Sequence, residues 1–77
     1  MNFHPLANLF PLLPENELNN LAEDIKANGL HNSIWTYKGE IIDGRNRFLA
    51  CEKAAVLPHF EEFAGAESDL LPFVLSL

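Results

Sequence analysis

The chain has 77 residues, 48% of them apolar and 21% charged, with a formal net charge of −6. That length allows one domain with a thin core, in which folding buries roughly 60% of the unfolded surface, and the ordinary balance of apolar and charged residues excludes an intrinsically disordered chain. The acidic sum argues against sequence-independent DNA binding, which needs a basic face to release counterions.

The first fourteen residues are apolar but broken by Pro5, Pro11 and Pro14. No Lys or Arg precedes the apolar residues, so the segment does not read as a signal peptide. Nowhere does an apolar run approach the ~20 residues that span a bilayer. One cysteine, Cys51, rules out an internal disulfide and fits a reducing compartment. These features give the expectation of a cytoplasmic protein with no membrane contact. His4-Pro5 favours extended backbone, and a short edge strand or extended segment is predicted near residues 3–9. His4 has no Cys, His or carboxylate at ligand spacing and reads as a satisfied surface histidine.

Residues 15–28 carry the clearest helical pattern. Pro14 suits the first helical position, Glu15 and Glu17 complement the helix dipole, and Leu18, Leu21, Ala22 and Ile25 form one apolar stripe. Gly29 is a natural closing residue. Residues 33–37 are rich in β-formers, Lys38-Gly39 supplies a tight connection, and residues 40–43 follow as the partner strand. Ile34 and Thr36 would share one face of that hairpin, Trp35 and Tyr37 the other. Trp35 reads as a core residue, or as a ligand or partner surface if no helix covers its face.

Asp43 then reads as an N-cap and Gly44 as a sharp turn, opening a second helix to about Ala55 with Phe48, Leu49, Cys51 and Ala55 as its apolar positions. A third pairing strand is predicted over residues 59–63 and a last helix over residues 69–77, with Pro72 near its first turn. Leu70, Leu71, Phe73, Val74 and Leu77 are too apolar to be left in water; they pack on the sheet, on a partner, or on a further stretch of chain. The predicted fold is α+β, a single domain over residues 1–77 with three helices around a small mixed sheet of three to four strands.

The charge distribution singles out one turn. Residues 38–53 hold four cations (Lys38, Arg45, Arg47, Lys53) against Glu40, Asp43 and Glu52. Both arginines of the chain fall in the first turn of the second helix, where the dipole disfavours a cation. Free N–H groups, a glycine turn and two guanidiniums make a phosphate site there. The competing reading is that Asp43 and neighbouring carboxylates neutralise the arginines. The two differ in sign: without an anion, removing Arg47 is neutral or slightly stabilising on the first reading, and destabilising on the second.

Ile42-Asp43-Gly44-Arg45-Asn46-Arg47-Phe48-Leu49-Ala50 resembles the signature segment of the ParB/sulfiredoxin superfamily: a Gly, two variable positions, an Arg, an aromatic and a small residue. Upstream, residues 21–34 resemble the other block of ParB-like N-terminal domains, a helix, a Gly, then a strand opening with Ile. The two blocks together cover roughly residues 18–51. The resemblance implies a domain that binds a nucleoside triphosphate with magnesium, CTP in the partition proteins, with ATP as the other candidate. Carried over by position, Gly44, Arg45, Asn46 and Arg47 would face phosphate, and Gly29, His31, Asn32 and Ser33 would lie near the base or ribose. This chain has Arg45 where the partition proteins have Glu, Asn46 where they have Arg, and Ser33 where they have Pro, which puts hydrolysis and nucleotide identity in question. Relatives often continue into a helix-turn-helix domain; none fits in 77 residues, so DNA contact would need a missing or separate domain. The resemblance therefore implies the N-terminal module of a longer protein, or a stand-alone relative with a regulatory or partition-like role.

Other chemistry finds little purchase. His4, His31 and His59 lie on different predicted segments, so no metal site is evident. The reactive cysteine of sulfiredoxins is replaced by Arg45, and Cys51 sits too far along its helix to be activated by the N-terminus. Some ParB-like domains are labelled nucleases, but Asp43 is the only carboxylate in the motif and no nucleophile or base stands out. The alternative to nucleotide binding is a protein-interaction module, including a homodimer through the C-terminal helix; an enzyme acting on nucleic acid is a third reading with no residues to carry it.

Overall fold

The computed structural model describes residues 1–77. Four strands and three α-helices follow in the order β1 (Asn2–Phe3), α1 (Glu15–Asn28), β2 (Ile34–Tyr37), β3 (Glu40–Asp43), α2 (Arg45–Ala54), β4 (Phe60–Glu62) and α3 (Leu70–Ser76). The sheet order is β1-β3-β2-β4, a mixed sheet and an α+β fold as the sequence pattern predicts. The centre is the local β2–β3 hairpin, antiparallel across Lys38 and Gly39, both with positive φ. The two outer strands come from opposite ends of the described chain and pair in parallel, β1 on β3 and β4 on β2.

Helices cover both faces. By register Phe3, Thr36 and Ile41 share one face. Phe48 of α2 lies edge-on to Phe3 and tilted against Phe60. Behind α2 stands α1: Leu18, Ala22 and Ile25 meet Ala50 and Cys51, and these two small residues let the helices approach closely. On the other face Tyr37 and Ile42 pack against Leu70 and Val74 of α3. Trp35 is half-buried, edge-to-face on Phe73. The last helix thus docks on its own sheet through Leu70, Phe73 and Val74 and leaves Leu71 and Leu75 exposed. No helix is long and apolar enough to cross a membrane.

Four local readings need correction. Residues 5–9 form a 3₁₀ turn, and only Asn2 and Phe3 are strand. Proline fixes φ near the helical value, and the His4 ring accepts the Leu6 N–H at 3.1 Å, capping the turn. Pro14 stands just before α1 instead of inside it. Asp43 is the last residue of β3 and caps nothing; the residue before α2 is Gly44, with no side-chain cap at all. Ala55 lies past the end of α2 in the left-handed region, φ 56°, while the Val56 N–H reaches back to the Cys51 carbonyl at 3.0 Å.

Two consequences are measurable. Ala55 is exposed, so its Cβ adds strain at positive φ without packing. Ala55→Gly should raise stability by about 0.5–1 kcal/mol, against the usual direction of Ala-to-Gly changes, and equilibrium urea unfolding will show it. The β4 edge is tied by Glu62, whose Oε1 accepts the Thr36 hydroxyl at 2.7 Å and whose Oε2 accepts the Lys38 N–H at 3.0 Å. Both bonds favour the charged carboxylate, the Thr36 bond foremost, and hold its pKa below the ordinary 4.5. A lowered folded pKa gives stability that is complete above the ordinary value and lost as pH falls through the folded one. Wild type should therefore out-melt Glu62→Gln at pH 7, and the gap should close as pH falls below the ordinary 4.5 and through the lowered folded value.

Candidate functional site

The strand-to-helix step at Gly44 decides where α2 points. Gly44 has φ 97°, which side chains disfavour. A Cβ there would stand 3.0 Å from Arg47 Nη2 and 3.2 Å from Ile34 Cγ1. With no cap on the helix, the first N–H groups of α2 have no side-chain acceptor. That first turn lines a cleft of about 680 Å³, walled by α2, the loop before β2, the 3₁₀ segment, the sheet and the end of α3.

Of the residues marked in the sequence, seven line this cleft: Gly44, Arg45, Asn46 and Arg47 on one side, His31, Asn32 and Ser33 on another. The two sequence blocks thus converge on one cavity. Gly29 does not take part. Its φ of 82° and its N–H bond to the Ile25 carbonyl at 2.7 Å serve to finish α1.

The two arginines have different surroundings. Arg47 donates through Nη2 to Asp43 Oδ2 at 2.7 Å and to the Ser33 carbonyl at 3.2 Å. That is the sole ion pair in the protein, with the two side chains 28% and 14% exposed. Asp43 therefore neutralises Arg47, as the competing sequence reading had it. Arg45 has no carboxylate partner. It donates to Asn8 Oδ1 at 2.6 Å and to the Phe10 carbonyl at 3.0 Å. In both arginines the Nε–H is buried and has no acceptor. The helix end thus offers one uncompensated guanidinium and backbone N–H groups without side-chain caps, which is what a phosphate group uses, while the two Nε–H groups lie out of a ligand's reach.

Asn46 is otherwise engaged. Its Oδ1 accepts the Leu13 N–H at 3.0 Å and its Nδ2 donates to the Pro11 carbonyl at 3.2 Å. With Arg45 it straps residues 8–13 to the start of α2. Pairings 33 to 37 residues apart leave no local pattern, so neither strap nor partners were readable from sequence. The cleft also takes in Ala7, Phe10, Trp35, Glu61 and Leu77, of which the sequence singled out only Trp35 and Leu77, as an aromatic strand face and an apolar helix.

Magnesium bound with a nucleotide is usually held by one or two carboxylates plus phosphate oxygens. Asp43 is the only carboxylate beside the helix end, already held by Arg47, and no group of three or more metal-ligating side chains is gathered anywhere. The residues fit the phosphates; any metal would rest mainly on phosphate oxygens.

Since Arg47 compensates a mostly buried carboxylate, Arg47→Ala should lower the stability of the ligand-free protein by about 1–3 kcal/mol. For a domain of this size that is a drop of roughly 5–20 °C in Tm in a thermal melt without added anions.

Comparison with protein-family models, with curated proteins and with solved structures returns no match for this chain.

Proposed function

We propose that this domain binds a nucleoside polyphosphate in the cleft at the start of α2, in the manner of a ParB-like N-terminal module serving a regulatory or partition-like role. The observation that carries the reading is the uncapped helix N-terminus beside Arg45, a guanidinium with no carboxylate partner, at the edge of a cavity of about 680 Å³. A helix start and an Arg act together on an anion. The cavity falls in the range of small-ligand sites, ~300–1,000 Å³. Convergence of residues 31–33 with residues 44–47 adds support, because the sequence resemblance assigned both stretches to one ligand. CTP and ATP are the nucleotides that resemblance implies, with magnesium carried on the phosphates. DNA contact would belong to another domain.

A second reading, self-association through α3, draws on the exposed Leu71 and Leu75, one turn apart on the helix. It is compatible with the first, since neither residue lines the cleft.

The test is polyphosphate binding by the whole chain. Tripolyphosphate and nucleoside triphosphates should raise the Tm of the wild type. Arg45→Ala should weaken tripolyphosphate roughly tenfold to a hundredfold, the equivalent of one charge-assisted hydrogen bond of ~1.5–3 kcal/mol. Asn8→Ala removes a strap contact without removing charge and should keep the affinity. A wild-type Tm unmoved by any polyphosphate, or equal losses in both variants, would refute the reading.

A further inference from the structure

The far end of the cleft carries a different chemistry. Across the sheet, Asp43 on β3 pairs in register with Trp35 on β2, and Trp35 with Glu61 on β4. All three line the cleft. Strands lie ~4.8 Å apart, so the Asp43 and Glu61 positions stand roughly 10 Å apart with the indole between them. Asp43 is cancelled by Arg47 at 2.7 Å. The Glu61 side chain is exposed and its carboxylate has no hydrogen-bond or ion-pair partner; only its backbone carbonyl accepts, from the Thr36 hydroxyl at 3.4 Å. What is left is a dipolar cavity, with Arg45 and the α2 N–H groups at one end, a free carboxylate at the other, and Trp35 midway.

From this arrangement we infer that the cleft selects a guanine nucleotide, in preference to the cytosine and adenine nucleotides that the sequence resemblance implies, with Glu61 as the base-reading residue; the inference rests on the phosphate reading above and not on that choice of base. A ligand that is only anionic is repelled by Glu61. One that is only cationic is repelled by Arg45. A nucleotide matches both ends, its phosphate on the helix and its base over Trp35, where an aromatic platform favours any base by stacking. The carboxylate then discriminates. It accepts only, through two oxygens. Guanine presents N1–H and N2–H side by side and satisfies both oxygens at once, the bidentate geometry that strengthens a charged hydrogen bond. Adenine and cytosine offer one amino group beside a ring acceptor. Uracil offers one N–H between two carbonyl oxygens, which would face the carboxylate and repel it. The order is guanine first, adenine and cytosine next, uracil last.

Calorimetry on the whole chain tests this with GTP, UTP, tripolyphosphate and the phosphate-free nucleosides guanosine and uridine. Wild type should bind GTP at least about tenfold more tightly than UTP, and guanosine more tightly than uridine. Glu61→Gln should bring both ratios close to one while leaving tripolyphosphate affinity unchanged or higher, since a negative charge has gone. Emission of Trp35, the only tryptophan, should respond to guanosine in wild type more than in Glu61→Gln. Equal GTP and UTP affinities, or ratios that survive Glu61→Gln, overturn the inference even if tripolyphosphate binds. If tripolyphosphate fails to bind but guanosine still binds in a Glu61-dependent way, the phosphate reading falls and the base-reading role of Glu61 stands.

Discussion

Everything in the cleft depends on one residue bending the chain from strand to helix. Gly44 makes the step alone, at a φ open to glycine and strained for others. Because it has no Cβ, the guanidinium of Arg47 can lie against its backbone and reach Asp43 at the end of the strand. That ion pair closes the corner from the side-chain direction while the glycine closes it from the backbone. An ordinary capping box would have used a side chain to satisfy the helix N–H groups; here the polar side chains of the first turn are turned away, to Asp43, to Asn8 and Phe10, and to the Pro11–Leu13 stretch. The corner is held firmly and its backbone donors are left without caps.

Fold class was legible because each long-lived signal was local. The α1 stripe of Leu18, Ala22 and Ile25, the Lys38-Gly39 turn and the β-branched pair Ile41–Ile42 each fall within a few residues of one another. Parallel pairing of β1 and β4 was not legible: it is decided by which edges the antiparallel hairpin leaves open, and two- and three-residue strands carry almost no periodicity of their own. The misreading of residues 5–9 has a similar cause. Proline restricts φ to values shared by extended and 3₁₀ backbone, and the His4 ring bond to the Leu6 N–H tips the balance.

For the site, the charge pattern marked a turn that lines the cleft, and left open how each of its side chains is engaged. Two arginines at a helix start are anomalous against the dipole, and the anomaly identified the corner. Which arginine keeps its charge free depends on Asp43 lying within 2.7 Å of Arg47, a matter of side-chain reach across a turn and not of spacing. Asn46 was assigned to the ligand by position, yet its amide serves the chain. Glu61 gave no signal at all, because an acidic residue in an acidic chain stands out only once its strand neighbours are known.

The cleft is also the meeting place of the two ends of the described chain. Ala7 and Phe10 line one part of it, Val74 and Leu77 another, and both outer strands that lead to these residues are short and on the sheet's edges. Two- and three-residue edge strands carry few ladder bonds, so their local opening costs less than unfolding the hairpin and the α1–α2 pair. Opening of either edge of the sheet disturbs the same cavity, and by mass action an occupant of the cavity opposes opening at both. Residues nearly seventy positions apart thereby share one cavity, and an occupant touching both would slow hydrogen exchange at both edges of the sheet together.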